Sequence, residues 1–205
     1  MTLYKKDVIV ALATPMGVGA IAVIRISGTS LVGLFSSLSN IDSPKSRYAY
    51  NVTLKSKKKR GGLDNVLITY YKAPHSFTGE DVIEISCHGG LAVSRRIIKD
   101  LILYGCRYAE PGEFSKRAFL NGKIDLTQAE SINQIIGSKS DEEVNLGLMA
   151  LDGKTKIKLQ ETKKLITDLI TLIEHELDFV EGELITTKQA VFKNSIKNIL
   201  IKIDE

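Results

Sequence analysis

The strongest constraint on the fold is a change in the spacing of apolar and turn residues near Asp125. Before this point, short runs rich in β-branched residues alternate with turn residues, which is the pattern of strands and hairpins. After it, apolar residues recur only at helical spacing. We therefore predict an α+β domain over residues 1–125, followed by an all-α helical domain over residues 126–205.

The first domain is predicted to contain five strands and two longer helices. The strand-like runs are DVIVALAT, AIAVIRISG, YAYNVTLKS, NVLITYYKA and DVIEISCH. The helical runs are TSLVGLFSSLS, with Thr29 or Ser30 as its cap, and GGLAVSRRIIKDLILYG. The stretch KKKRGGLD is predicted to be a hairpin loop, and PGEFSKRAFLNGKID is predicted to hold one short helical turn.

The second domain has the signature of helices whose apolar faces lack a partner. Thr127 with Glu130, and Ser140 with Glu143, fit the capping-box pattern at a helix start. Leucines and isoleucines recur at helical spacing over residues 154–179, and the last segment reaches the end of the sequence without a cap. We expect an incomplete helical domain whose apolar stripe packs against another chain or a further segment.

Composition narrows the class of protein. Residues 1–125 carry 18 Lys/Arg and 10 Asp/Glu, whereas residues 126–205 carry 10 and 14. A basic first half suits an anionic ligand or nucleic acid. Two cysteines are too few for a disulfide scaffold or a four-ligand zinc site, and no apolar run reaches the roughly 20 residues of a membrane helix. A signal peptide is rejected because VIVALA is too short, so we expect a cytoplasmic protein without a metal or a membrane.

Several short motifs resemble known binding sites but lack a feature that such a site requires. The glycines of GVGAIAVIRISG precede a strand, so no helix N-terminus is available for a dinucleotide pyrophosphate. GLMALDGKT has the wrong glycine spacing for a phosphate loop, and HELD lacks the second histidine of a HExxH zinc motif. The run KSKKKR is predicted to be a solvated loop, with contact to RNA phosphates as the alternative.

Cys87 and His88 look like a nucleophile and its base, but strand geometry argues against that interpretation. In a strand over residues 82–88, neighbouring side chains point to opposite faces, so these two cannot form a hydrogen-bonded dyad. Cys87 would lie among isoleucines, where burial raises the pKa of a thiol. We therefore predict that this pair is not catalytic.

Glu84 and Arg25 each interrupt an apolar strand with a charge. A charged side chain in such a place is seldom buried unless it has a partner or binds something. The two residues form either a buried ion pair or the two ends of a polar ligand site. The residue pattern alone leaves both interpretations open.

Three longer blocks carry a family resemblance. ALATPMGVGAIAVIRISG, SFTGEDVIEISCHGG and PGEFSKRAFLNGKIDLTQAESINQII closely resemble the N-terminal part of the tRNA-modification GTPase family MnmE, also called TrmE. With the helical LDFVEGELI they extend over essentially the whole chain. The resemblance implies a tetrahydrofolate-binding domain similar to the aminomethyltransferase of glycine cleavage. It also implies that the chain is a fragment that stops before a GTPase domain.

The same resemblance implies a ligand, its site and the partners. Family members use a tetrahydrofolate derivative, 5-formyl- or methylene-tetrahydrofolate, and the matching site residues here are Arg25, Glu84 and Lys123. They form homodimers through the N-terminal domain, and modify C5 of the tRNA wobble uridine with the flavoprotein MnmG (GidA). GTP, Mg and K would belong only to the missing GTPase domain, so no catalytic residue is expected in this chain. The alternative is an assembly module that only dimerises and docks the flavoprotein or tRNA.

Overall fold

A computed structural model describes residues 7–58, 61–178 and 189–204 of the chain. The chain divides into two compact units, Met1–Asp125 and Leu126–Glu205. Six strands and seven helices lie within the described residues, and all of the strands belong to the first unit. None of the helices in the described ranges is both long and apolar enough to cross a membrane.

The first unit is built on one six-stranded sheet with the strand order β3-β4-β5-β2-β1-β6. Neighbouring strands are antiparallel except for β1 and β6, which are parallel. The strands are β1 (Ile9–Leu12), β2 (Ile21–Gly28), β3 (Ala49–Lys55), β4 (Gly62–Tyr71), β5 (Asp81–His88) and β6 (Arg107–Tyr108). The helices of this unit are α1 (Val32–Ser39), α2 (Leu91–Leu103) and α3 (Glu113–Leu120).

The core lies between one face of the sheet and the helices α1 and α2. Alternate residues of the two central strands, such as Ile24 and Ile85, are fully buried and pack in one cluster with Phe35 and Leu101. Because strand side chains alternate, the residues between them point to the opposite face of the sheet. That second face carries Arg25 and Glu84.

The five predicted strands and two predicted helices are confirmed. The two-residue strand β6 was not predicted, because so short a segment has no detectable alternation. Helix α3 has eight residues rather than one turn, so that prediction was too short. Residues 59–60 of the predicted hairpin loop, and residues 179–188, which include most of LDFVEGELI, lie outside the described residues.

The predicted cap of α1 is wrong. The helix begins at Val32 with Leu31 as its N-cap, and no side chain of the cap residue accepts a hydrogen bond there. Instead, the Leu31 amide donates to Oδ2 of Asp81 at 3.1 Å, while Oδ1 of Asp81 accepts from the Ala73 amide at 2.9 Å. A carboxylate from a distant strand therefore supplies the acceptor that a helix start requires.

The described residues of the second unit, 126–178 and 189–204, form helices that expose much apolar surface. Its helices are α4 (Leu126–Gly137), α5 (Asp141–Leu151), α6 (Lys154–Asp178) and α7 (Gln189–Asp204). Ser140 caps α5 as predicted, by accepting from the Glu143 amide, whereas α4 begins one residue before its predicted cap, Thr127. Apolar side chains along α6 and α7 are exposed, including Ile170, Leu177 and Leu200.

A network of charged side chains fastens α3 to the sheet. Arg117 is only 1% exposed, and its guanidinium contacts Asp7 at 2.6 Å, Glu113 at 2.9 Å and Glu80 at 3.1 Å. Arg107 contacts Asp7 at 2.8 Å and Glu113 at 2.7 Å. Hydrogen bonds from Arg107 are the main reason that the pKa of Asp7 falls from 3.8 to about 2, and that of Glu113 from 4.5 to about 2.

Replacing Arg117 with methionine should destabilise the first unit strongly. The substitution keeps much of the buried volume but leaves the carboxylates of Glu80 and Glu113 without their central cation, which costs about 3–5 kcal/mol in comparable buried pairs. Urea unfolding followed by circular dichroism measures this loss. Lys116→Met, which removes an exposed cation from the same helix, should change the free energy of unfolding by less than about 0.5 kcal/mol. Equal losses in the two variants would contradict this prediction.

The same network predicts a loss of stability in acid. A carboxyl group with a pKa lowered by folding stabilises the protein above its unfolded pKa, and this contribution disappears as the pH falls through its folded pKa. For Asp7 and Glu113 the window runs from 4.5 down to about 2. We expect the free energy of unfolding to fall by about 2 kcal/mol per carboxyl group over this window. Urea titrations at a series of pH values measure it, and Arg107→Met should flatten the profile.

Candidate functional site

Arg25 and Glu84 face each other directly across β2 and β5. Nε of Arg25 donates to Oε1 of Glu84 at 2.8 Å, and Nη2 lies 2.7 Å from the same oxygen. Both side chains remain partly accessible, with 29% and 25% of their surfaces exposed. The structure thus selects the ion pair as the resting arrangement, although the pair is open to solvent rather than sealed in the core.

Tyr71 completes the surroundings of the Glu84 carboxylate. Its hydroxyl donates to Oε2 of Glu84 at 3.2 Å, so each carboxylate oxygen has a different partner. Burial and the negative charge of Glu84 raise the pKa of Tyr71, which keeps the phenol protonated and able to donate. Arg47 lies over the Tyr71 ring at 5.9 Å and adds a second cation to this region.

Two phenylalanine rings flank the Arg25 guanidinium. Its Cζ atom lies 5.3 Å from the centre of the Phe77 ring and 5.9 Å from that of Phe114. Both rings are half-buried, and they come from different elements: the β4–β5 loop and helix α3. The site therefore combines one carboxylate, one guanidinium and two aromatic rings on the face of the sheet opposite the core.

The loop that carries Phe77 is fixed to β2 and α3 by the residues that follow Phe77. The hydroxyl of Thr78 is hydrogen-bonded to that of Ser27 at 2.7 Å, and the Ser27 hydroxyl donates to Glu80 at 2.7 Å. Glu80 in turn belongs to the Arg117 network. Because Arg117 and Phe114 lie on the same short helix, one network positions both aromatic rings.

Lys123 lies beside this loop and is not in contact with Arg25 or Glu84 among the contacts of the described residues. Gly79 has a φ of +78°, and a Cβ atom there would lie 3.1 Å from Cγ of Lys123 and 3.2 Å from Cβ of Asn121. A side chain at position 79 would thus displace the lysine stem. The Asn121 amide also donates to the carbonyl of Thr78 at 2.7 Å. Lys123 is exposed beside the loop, whereas Arg25 and Glu84 are in direct contact.

Comparison with known proteins identifies the family of the chain. Residues 8–123 match the family described as the GTP-binding protein TrmE N-terminus, and residues 126–205 match the MnmE helical domain. The chain belongs to the MnmE (TrmE) family. The resemblance seen in the three sequence blocks is thereby confirmed.

Relatives in this family share the name tRNA modification GTPase MnmE. Those of Aliarcobacter butzleri, Flavobacterium johnsoniae and Pseudothermotoga lettingae are 37%, 40% and 40% identical to the chain. The alignments cover 98%, 96% and 97% of this chain, but only 45%, 43% and 44% of the relatives. The chain thus spans less than half the length of these MnmE proteins.

The Cys87–His88 pair of this MnmE-family chain is not a dyad, as predicted. Cys87 is 3% exposed, its thiol contacts the Ala22 carbonyl at 3.4 Å, and burial raises its pKa. His88 is exposed on the other face, where Nδ1 lies 2.7 Å from Oδ1 of Asp64. The two side chains point to opposite faces of β5 and have different hydrogen-bond partners.

Sequence reasoning missed Tyr71, Phe77 and Phe114 as site residues. Phe77 and Phe114 lie inside the motifs SFTGED and PGEFSK, so a signal was present in the family blocks. To predict Tyr71 as a site residue, one must know how β4 pairs with β5. This pairing places Tyr71 beside Val82 and brings its hydroxyl to Glu84. No local pattern reports that pairing.

Proposed function

We propose that this chain is the part of a tRNA modification GTPase that binds a tetrahydrofolate one-carbon donor and forms a homodimer. It would contribute, with the flavoprotein MnmG, to aminomethyl-type modification at C5 of the tRNA wobble uridine. The observation that carries this proposal is the accessible Glu84 carboxylate between Arg25 and Tyr71, beside two aromatic rings. We further propose a cytoplasmic location and a fold similar to the aminomethyltransferase of glycine cleavage.

The chemistry of Glu84 fits the edge of a pterin ring. A pterin presents an N–H and an amino group side by side, and a carboxylate can accept from both. Each carboxylate oxygen has two acceptor positions, so Oε1 can keep its bond to Arg25 while it accepts from the ligand. The bond from Tyr71 to Oε2 is the longer one, and it is the partner that a ligand would most easily replace.

The aromatic rings and cations suit the remainder of a folate. Phe77 and Phe114 offer apolar faces on which a planar ring can stack, and the Arg25 guanidinium between them can donate to ring acceptor atoms. Two exposed cations, Lys123 beside Gly79 of the Phe77 loop and Arg47 over the Tyr71 ring, suit the carboxylates of the glutamate tail. When bound, the folate would supply the one-carbon unit, while these residues hold and orient it.

The chain covers less than half the length of the MnmE relatives, so activities of the whole protein need not lie in this chain. The relatives named tRNA modification GTPase are more than twice as long as the matched region. We propose that GTP hydrolysis, with Mg and K, belongs to the part of those proteins that this chain does not match. The residues of this chain then act by binding and positioning, and none of them is proposed as catalytic.

Calorimetric titration with 5-formyl-tetrahydrofolate tests the ligand. We expect the chain to bind it, and Glu84→Gln to lower the affinity by about 30-fold or more, because an amide cannot accept from two adjacent donors. Arg25→Met and Lys123→Met should each weaken binding, and the lysine change should have the smaller effect because Lys123 lies at the rim of the site. Glu174→Gln, on an exposed position of α6, is the matched control and should bind like the wild type.

Two results would count against a folate site. The first is a wild-type chain that does not bind at millimolar ligand although circular dichroism shows it folded. The second is equal binding by Glu84→Gln and Glu174→Gln. The first result, together with an intact dimer, would favour the alternative function of an assembly module that docks the flavoprotein or tRNA.

The proposed homodimer has a candidate surface on the same face of the sheet. Ile21 and Leu67 are 66% and 50% exposed there, beside the row that contains Arg25 and Glu84. Large apolar side chains exposed together on a sheet face are typical of a protein interface. A second copy covering this face would also close one side of the folate site.

Sedimentation equilibrium measures this association. We expect the wild type to dimerise and Leu67→Glu to raise the dimer dissociation constant by at least about tenfold, because the new carboxylate would be buried without a partner. Ile136→Glu places the same charge on an exposed position of α4 and should leave the dimer unchanged. A wild type that stays monomeric at the highest attainable concentration would contradict the proposal.

A further inference from the structure

A second charged region lies on the opposite side of the first unit. Two lysines in the turn after β3, and three cations on the outer face of α2, form what we term the basic surface: Lys57, Lys58, Arg95, Arg96 and Lys99. All five are exposed. A cavity of about 440 Å³ between the turn and the helix is lined by four of them, Lys58, Arg95, Arg96 and Lys99.

The basic surface is held in shape by a buried carboxylate. Asp100 on α2 accepts from the Ser56 hydroxyl at 2.9 Å and from the Lys57 amide at 2.9 Å, which fastens the turn to the helix. The Lys57 ammonium donates to the Leu103 carbonyl at 2.6 Å and lies 5.0 Å from the centre of the Tyr104 ring. The lysines of the turn are therefore placed at defined positions beside the helix.

The like charges on α2 are close together. Arg95 and Lys99 are four residues apart and Arg96 and Lys99 are three apart, spacings at which like charges repel and destabilise a helix. Within the described ranges, none of these three side chains forms an ion pair with a carboxylate. This concentration of positive charge favours an anionic partner.

The surroundings favour nucleic acid over a lipid bilayer. Membrane-surface segments combine cations with large apolar side chains that enter the acyl region. Here the apolar residues of the cavity are Leu63, Ala92 and Leu103, and the larger ones are part of its wall rather than a protruding face. Fixed cations around a concave surface match the phosphate backbone of RNA, which proteins contact mainly through lysine and arginine.

We propose that the basic surface binds the phosphate backbone of RNA, and thereby holds the tRNA substrate without reading its sequence. This inference rests on the proposed role in tRNA modification, but it uses a different part of the molecule from the folate site. Ile97 and Leu101 of α2 pack in the same core as Ile83 and Ile85, whereas Glu84 between them points to the other face. The two sites are therefore separated by the sheet and the helix.

Fluorescence anisotropy with a labelled, unmodified tRNA transcript tests the proposal on the full 205-residue chain. The logarithm of the binding constant is measured against the logarithm of the salt concentration. For the triple variant Arg95→Gln, Arg96→Gln, Lys99→Gln, the slope should become shallower by about 2–3, and the affinity at about 0.1 M salt should fall at least about tenfold. These side chains are exposed, so the thermal midpoint should stay close to that of the wild type.

A matched triple variant tests whether tRNA binding depends on this surface or only on the total charge of the chain. Lys163→Gln, Lys164→Gln, Lys193→Gln removes the same charge from exposed positions of α6 and α7, and should leave the slope unchanged. A second variant of the basic surface, Lys57→Gln with Lys58→Gln, should also weaken binding and leaves the residues of α2 unchanged. Absence of tRNA binding by the wild type, or equal losses in the two triple variants, would overturn the proposal.

Two further measurements distinguish the remaining outcomes. Binding to phosphatidylserine vesicles that is stronger than binding to tRNA, and that is lost in the α2 triple variant, would assign the surface to membranes and overturn the proposal. Calorimetry with 5-formyl-tetrahydrofolate should give the same affinity for the α2 triple variant as for the wild type. A wild type that binds tRNA through this surface but no folate would uphold the RNA surface and refute the folate site.

Discussion

The architecture of the first unit depends on a guanidinium that is almost completely enclosed. Arg117 contacts three carboxylates, one just before β1, one in the β4–β5 loop and one on its own helix: Asp7, Glu80 and Glu113. A buried charge of this kind adds little net stability over an apolar residue, but removing one partner leaves the others unpaired at high cost. The network therefore acts mainly by specifying where the helix and the loop must lie.

That specification determines the candidate ligand site. Phe77 lies in the β4–β5 loop and Phe114 lies in α3. Both rings therefore take their positions from elements that Arg117 joins. Arg25 and Glu84, in contrast, are placed by the register of two central strands. The site thus combines a rigid sheet, which sets the ion pair, with a loop and a helix that a charge network holds against it. Such support is what a binding site needs in order to be preorganised.

The face to which a side chain points can be predicted from periodicity along one strand. Contacts that depend on the pairing register between strands cannot be predicted in this way. Alternation along one strand excluded the Cys87–His88 dyad, and this conclusion holds in the structure. Pairing between strands decides that Arg25 lies opposite Glu84, and that Asp81 rather than Thr29 or Ser30 supplies the acceptor at the start of α1. Contacts of this long range have no signature in a single sequence.

The two charged regions of the first unit differ in how their charges are compensated. Arg25 and Glu84 neutralise each other, so a ligand there must compete with or extend existing hydrogen bonds, which favours selectivity for donor geometry. The cations of the basic surface share one sign, and Asp100 is already engaged in holding the turn. Binding there is governed by charge and salt rather than by geometry. The two proposed functions, recognition of a small molecule and binding of a long polyanion, require these different arrangements, and the core between the sheet and α2 separates the two regions.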